Sequence, residues 1–301
     1  MDLLVIIQML KLADQDIKIL HIEPTDACNA ACPQCARETD TTFDKNDLHH
    51  LSVDQIKTLV NDDVIRGLDK MFMCGTYGDP AAGKHTLEIY RYFRSINPTI
   101  TLGMNTNGGL RNTDWWRELA SILNQPKDYV VFSIDGLADT NHIYRINVRW
   151  TRVLENAKAF INAGGLAHWD MLVFGYNQHQ VDSAEYTAGM YGFKWFRAKV
   201  SKRHAVTPVN FLHPPTGWSD PIVTSGPIEC HALKESSVYI SARGTIYPCC
   251  WLGNNSEHTL DTFDSIQAGW TTRPLNVCAE TCRTNATGSS FTNQWQREVA
   301  F

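Results

Sequence analysis

Six β-type runs, separated by amphipathic helical segments, fill the first two thirds of the chain, and this alternation limits the fold more than any other feature of the sequence. The strand candidates are Ile17–Glu23, Lys70–Gly75, Thr99–Asn105, Tyr129–Asp135, Trp169–Phe174 and Phe193–Val200, with helical segments near 52–66, 84–95, 113–124, 150–163 and 180–191. Strands that alternate with helices favour a parallel sheet covered by those helices. Ser52 with Gln55 three residues on predicts a capping box at the first helix. At 301 residues the chain can bury a sizeable core, as one large domain or one plus a small module.

Directly after the first strand comes Cys28-Asn29-Ala30-Ala31-Cys32-Pro33-Gln34-Cys35, a C-x3-C-x2-C run. A cubane iron–sulfur cluster is usually held by four thiolates. A loop that supplies three would leave one iron open to a small molecule, which points to chemistry. The alternatives are a structural zinc, which prefers four ligands in two separated pairs, and a disulfide, which needs an oxidising compartment.

With 27 basic and 32 acidic residues the net charge of −5 predicts no broad nucleic-acid footprint. The apolar stretch Leu3 to Leu10 follows Asp2 rather than a basic segment and precedes no small-residue cleavage site, so it reads as packing. No window reaches the ~20 apolar residues of a membrane span. These features predict a soluble, cytoplasmic protein, where reduced thiols are available as metal ligands.

The cysteine run resembles the signature of the radical S-adenosylmethionine (SAM) superfamily. That resemblance implies an open, partial (β/α)6 TIM-like barrel with its site at the C-terminal strand ends. It also implies a [4Fe–4S] cluster on Cys28, Cys32 and Cys35, SAM bound at the open iron, and a 5′-deoxyadenosyl radical that removes a hydrogen atom from substrate. The position before the third cysteine, usually aromatic in the family, is Gln34 here.

Further motifs fall at strand ends. Tyr77-Gly78-Asp79-Pro80 looks like a variant of the family's Gly-Gly-Glu-Pro, whose carbonyls and acid receive the SAM ammonium; a plain Gly-Asp-Pro turn is the other reading. Asn105-Thr106-Asn107-Gly108 resembles the family's Thr-Asn-Gly step, so Asn105 and Asn107 are expected at the ribose or substrate, although Asn-Gly is equally a turn. By the same resemblance Ser133 and Arg145 would hold the SAM carboxylate, for which a guanidinium fork is suited. Asp135 would bond ribose or set the turn. Val173 and Phe174 would flank adenine or serve as core, and Asn177 fits a helix N-cap or a ligand.

Beyond residue 205 the helical pattern stops. Pro208, Pro214, Pro215, Pro221 and Pro227, out of 12 prolines in all, mark a junction, so the expected division is a barrel over 1–205, a linker over 206–227 and a C-terminal module over 228–301. In that module, Val238–Ser241 and Thr245–Tyr247 read as a hairpin turning at Ala242-Arg243-Gly244, which would bring Cys230 and Cys249 together. A later loop or short helix would deliver Cys278 and Cys282. The spacing resembles the SPASM and twitch modules of radical SAM enzymes. The cysteine number fits the single-cluster twitch type, with Cys230, Cys249, Cys278 and Cys282 on an auxiliary [4Fe–4S] cluster or, alternatively, a zinc. Cys250 is a rival ligand, a hydrogen-atom donor or a buried spectator, and Cys74 reads as core lining.

On these grounds the expected activity is an oxidoreductase-type radical SAM reaction on a polar metabolite or a peptide, with electrons from a flavodoxin or ferredoxin. A redox-neutral enzyme, such as an epimerase using Cys250, and a non-catalytic metal-binding scaffold are the alternatives. The short stretch before the first strand mildly favours a small substrate. Trp195, Arg197 and Lys199 alternate onto one face of the sixth strand, with Lys202, Arg203 and His204 after them; facing inward they would attract a carboxylate or phosphate, facing outward they would be merely solvated. The tail bearing Trp295 and Phe301 is a candidate to pack over the barrel.

Overall fold

The computed structural model of the protein describes residues 16–201, 203, 209–217, 226–253 and 255–283. Leu3 to Leu10, Lys202, His204, Pro208, Pro221, Trp295 and Phe301 lie outside the described residues. Six strands run parallel in chain order: β1 (Ile19–Ile22), β2 (Lys70–Met73), β3 (Thr101–Thr106), β4 (Tyr129–Ser133), β5 (Ala167–Val173) and β6 (Trp195–Val200). β7 (Ser237–Ile240) then lies parallel beside β1, and β8 (Ile246–Tyr247) pairs antiparallel with β7. The result is one eight-stranded sheet in the order β6-β5-β4-β3-β2-β1-β7-β8.

The sheet is curled. Strands in a sheet are spaced ~4.8 Å apart, so the ends of β2 and β6 would be roughly 19 Å apart on a flat surface. Yet the ammonium of Lys199 on β6 lies near enough to influence the thiol of Cys74 at the end of β2. With edges at β6 and β8, this is an open, TIM-like partial barrel of the kind the sequence predicts.

Helices α1 (Val53–Leu59), α2 (Asp62–Gly67), α3 (Thr86–Ile96), α4 (Thr113–Ile122), α5 (Trp150–Asn162) and α6 (Val181–Tyr191) link the strands. Side chains alternate across a strand. One set, including Leu20, Met71, Leu102, Val130, Phe132 and Trp169, joins Ile56, Phe93, Leu119 and Phe160 of the helices in the main core. The other set points into the barrel. His21 stacks on Phe72 at 4.4 Å, Tyr129 meets His168 at 5.4 Å, and His168 lies 3.8 Å from Trp195.

The capping box is present: the Gln55 N–H donates to Ser52 Oγ at 3.2 Å and the Ser52 N–H to Gln55 Oε1 at 2.9 Å. The helix expected over 52–66 is broken, because Val60 is extended and Asn61 Oδ1 starts a new helix by accepting from the Val64 N–H at 2.8 Å. Gly75 and Asp135, expected inside strands, have left the sheet for loops, whereas β5 begins two residues earlier than expected. The hairpin forms as expected, with Gly244 at φ +78° and the Ser241 N–H donating to the Thr245 carbonyl at 3.0 Å. It attaches to the barrel's own sheet through β1.

Candidate functional site

The three cysteines after β1 are gathered by loops from other strand ends. The Asn107 amide, just past β3, donates to Cys28 Sγ at 3.6 Å, and the Ala30 N–H does so at 3.4 Å. Arg145 Nη1, from beyond β4, reaches Cys32 Sγ at 3.7 Å. The Cys35 thiol faces the Thr76 carbonyl after β2 at 3.8 Å. Burial pushes the Cys28 thiol up to about 12, with Asp79, Cys32 and Cys35 adding to it, and the Cys32 thiol up to about 11 against the pull of Arg145. Clustered thiols, two of them supplied with N–H donors, suit a cationic metal group, which reverses that preference by binding the thiolates. Among the described residues no three His, Cys, Asp or Glu side chains are drawn in tightly enough to hold a single metal ion.

The loop after β2 is held by an acid the sequence reading missed. Buried Glu23, just past β1, accepts from the Tyr77 and Gly78 N–H groups at 2.7 and 2.9 Å through Oε1, and from the Tyr239 hydroxyl at 2.5 Å through Oε2. Glycine is required within this loop. A Cβ on Gly78 would stand 1.8 Å from the Thr25 carbonyl oxygen, and one on Gly75 would stand 2.0 Å from the Gly78 carbonyl oxygen.

The Tyr77 side chain stacks on Phe43 at 4.5 Å and donates to Asp40 at 2.6 Å. Asp79 has both oxygens engaged by its own chain. Oδ1 accepts from the Ala81 N–H at 2.9 Å and Thr106 Oγ1 at 2.8 Å, and Oδ2 from the Asn107 N–H at 2.7 Å. This acid therefore ties the β2 loop to the end of β3.

At the end of β4, Asp135 is fully buried and accepts from Arg145 Nε and from the Leu172 N–H, each at 2.6 Å. Through that contact it orients the arginine. Burial raises the Asp135 carboxyl and the adjacent guanidinium opposes that rise. Ser133 ends β4 beside Asp170 of β5, half-buried. Asn177 precedes a 3-10 turn, but its side chain is no cap. Its oxygen accepts from the Phe174 N–H at 2.7 Å and its amide donates to the Asp135 and Leu172 carbonyls, each at 2.9 Å, clamping β4 to β5. Val173 ends β5 nearly buried and Phe174 is fully buried.

Gln34 is buried as well. Its side chain accepts from Ser201 Oγ at 2.8 Å and its carbonyl from Arg203 Nη1 at 2.5 Å, which ties the cysteine loop to the exit of β6. Asn105 lies on the inner face of β3. Arg197 and Lys199 face into the barrel, where they pair with the two oxygens of Asp170 at 2.7 and 2.6 Å. Nothing in the run Trp169–Phe174 marked Asp170, except that an acid in an otherwise apolar strand is itself a signal.

Cys230 and Cys282 share a thiol hydrogen bond that lowers the Cys230 thiol to about 6 and raises that of Cys282. Their backbones are joined by the Glu229 N–H donating to the Cys282 carbonyl at 2.7 Å. Cys249, pushed up to about 12 by burial, has Cys230 and Cys278 as its sulfur neighbours. Cys250 is close to Cys249, Cys74 and Glu23, and both Cys249 and Cys250 line, with His21, Phe72 and Tyr239, a cavity of about 40 Å³.

Over residues 22–185, more than half of its length, the sequence matches the family described as the Radical SAM superfamily. No curated protein matches it. Among solved structures it is similar to Streptococcus suis SuiB bound to precursor peptide SuiA, with a TM-score of 0.61, 16% identity and coverage of 90% of this chain and 68% of that one. SuiB bound to S-adenosylmethionine gives 0.59 at 15% identity over 89% and 69%. Native anSMEcpe with bound AdoMet and Cp18Cys peptide gives 0.51 at 16% identity over 77% and 73%. At these identities the likeness is one of fold.

Proposed function

The chain belongs to the radical SAM superfamily, and we propose that it takes a hydrogen atom from a peptide or polar metabolite and completes an oxidation with the help of a second metal centre. The observation that carries this reading is the convergence on Cys28, Cys32 and Cys35 of Asn107, Arg145 and Thr76, each from a different strand end. A [4Fe–4S] cluster on those thiols would supply the electron that splits SAM into methionine and a 5′-deoxyadenosyl radical.

The chain's own residues supply the rest. The carbonyls of residues 75–78, held by Glu23 and Asp79, accept from the SAM ammonium. Arg145, held by Asp135, meets the carboxylate together with Ser133. Asn105 and Asn107 take the ribose or substrate, and Val173 borders the adenine. Cys230, Cys249, Cys278 and Cys282 would hold an auxiliary [4Fe–4S] cluster as electron acceptor, within a twitch-like module over 228–301 that follows the barrel over 1–205 and the linker over 206–227. A flavodoxin or ferredoxin would reduce the enzyme. That SuiB and anSMEcpe were solved with peptides supports a peptide substrate.

A second reading, redox-neutral hydrogen return, is favoured by one observation: Cys250, outside the four proposed auxiliary ligands, lies close to Cys74 and Glu23 as well as to Cys249. The experiment that tests the main reading is anaerobic reconstitution, dithionite reduction and chromatography for 5′-deoxyadenosine. Wild type should form it and Cys32→Ala should not; absence from both would defeat the enzymatic reading.

A further inference from the structure

Glu23 divides its carboxylate between two distant parts of the chain. Oε1 takes the Tyr77 and Gly78 N–H groups of the β2 loop, and Oε2 takes the hydroxyl of Tyr239, 216 residues away on β7. Both side chains are buried. Burial raises the Glu23 carboxyl, and the Tyr239 hydroxyl opposes that rise ahead of the two N–H groups. Without the hydroxyl, Oε2 would be a buried charged oxygen that has lost its donor. The carboxylate would then turn or take up a proton, and either change weakens the hold of Oε1 on the two N–H groups.

Tyr239 is itself seated from the C-terminal side. Its ring meets His21 at 4.7 Å and Tyr247 of β8 at 6.0 Å, and a Cβ on Gly253 would stand 2.3 Å from a ring carbon. Gly253 closes the turn that carries Cys249 and Cys250, its N–H donating to the Cys250 carbonyl at 3.2 Å. The phenol oxygen also lies 3.3 Å from Thr76 Oγ1, beside the two residues that Glu23 holds. Direct contacts thus run from the Cys249-Cys250 turn, through the Tyr239 ring and Glu23, to residues 76–78.

We infer that Tyr239 is a positioning residue for SAM: by holding the Glu23 carboxylate it sets the main chain of residues 76–78, and it makes the order of that loop depend on the cysteine turn after β8. The inference rests on the proposed seating of SAM at residues 75–78 and adds to it a residue from outside the six barrel strands. Packing of a buried ring is the competing explanation. It predicts that loss of any buried tyrosine hydroxyl would loosen the loop to the same degree.

The test is hydrogen exchange at the Tyr77 and Gly78 amides of the anaerobically reconstituted protein without SAM, read by mass spectrometry, together with dialysis against labelled SAM. Tyr239→Phe keeps the ring and removes one oxygen. It should speed exchange of those amides about tenfold, as expected for loss of a hydrogen bond to a charged group, and weaken SAM several-fold. Deoxyadenosine formation at saturating SAM should stay within about twofold of wild type, because the loop holds SAM before and during cleavage alike. Gly253→Ala, which crowds the ring from the cysteine turn, should speed the same amides. Tyr90→Phe, which removes a buried hydrogen bond from α3 to the Gly103 carbonyl, should leave them unchanged. Wild-type exchange in Tyr239→Phe or in Gly253→Ala, wild-type SAM affinity in Tyr239→Phe, or equal acceleration in Tyr90→Phe would each overturn the inference. Wild type that binds no SAM would defeat the radical SAM reading together with the inference, whereas the outcomes above, seen beside a wild type that binds SAM, defeat the inference alone.

Discussion

Removing both Asp135 and Arg145 should cost less than the sum of removing each alone. The two side chains are 0% and 16% exposed, 2.6 Å apart, and the carboxylate also accepts from the Leu172 N–H. Asp135→Asn keeps shape and one acceptor but leaves a guanidinium uncompensated in a dry site, and Arg145→Met leaves the carboxylate so. Breaking a buried pair from one side costs about 3–5 kcal/mol, and the partial exposure of Arg145 places this case near about 3. For a chain of this size that is roughly 6–12 °C in melting temperature. The double variant removes both charges and should lose less than the sum of the single losses, by about 2 kcal/mol or more. Anaerobic thermal melts of the four proteins form the cycle, and dialysis with labelled SAM follows ligand affinity in parallel. SAM affinity should fall in every variant containing Arg145→Met whether or not stability recovers. Additive losses in the melts, within about 0.5 kcal/mol, would refute the idea that these charges depend on one another.

Gly78→Ala would force the loop off the Thr25 carbonyl by more than an ångström, and deoxyadenosine formation should drop about 100-fold while the melt changes less than for the Asp135 variants. Burial lowers His21 and His168 to about 3 from 6.5, so between those values the unfolded chain binds more protons than the folded one. Their contribution is complete above pH 6.5 and is lost as pH falls, by about 2 kcal/mol for each at pH 5. In denaturant titrations at pH 7.5 and 5.0, His168→Gln should lose about 2 kcal/mol less between the two pH values than wild type does; an unchanged loss would count against the assigned burial effect. Cys249→Ala should lower bound iron by about four per chain while Cys250→Ala leaves it intact, as read by metal analysis.

The barrel is legible in the sequence because alternating strand and helix periods are local and were written clearly in each unit. The cysteines were legible because metal-ligand spacing is local too. What escaped is what depends on the curl of the sheet. Glu23 looks like the polar end of a strand, and only its position under residues 77 and 78 makes it the support of that loop. Asp79 reads from the sequence as a possible ligand contact, and only the approach of the β3 end shows Thr106 and Asn107 engaging both its oxygens. The orientation of Arg197 and Lys199 was open from alternation alone, because a period of two gives two faces without saying which is inside.

The most direct test of the account is the iron and sulfide content of the anaerobically reconstituted chain, measured together with deoxyadenosine formation, in wild type and in a variant with Cys230, Cys249, Cys278 and Cys282 all changed to Ala. Two separate thiol sites predict about eight irons in wild type and about four in the variant, with SAM cleavage retained in both. About four irons in wild type, or SAM cleavage lost along with the distal cysteines, would contradict the two-centre reading.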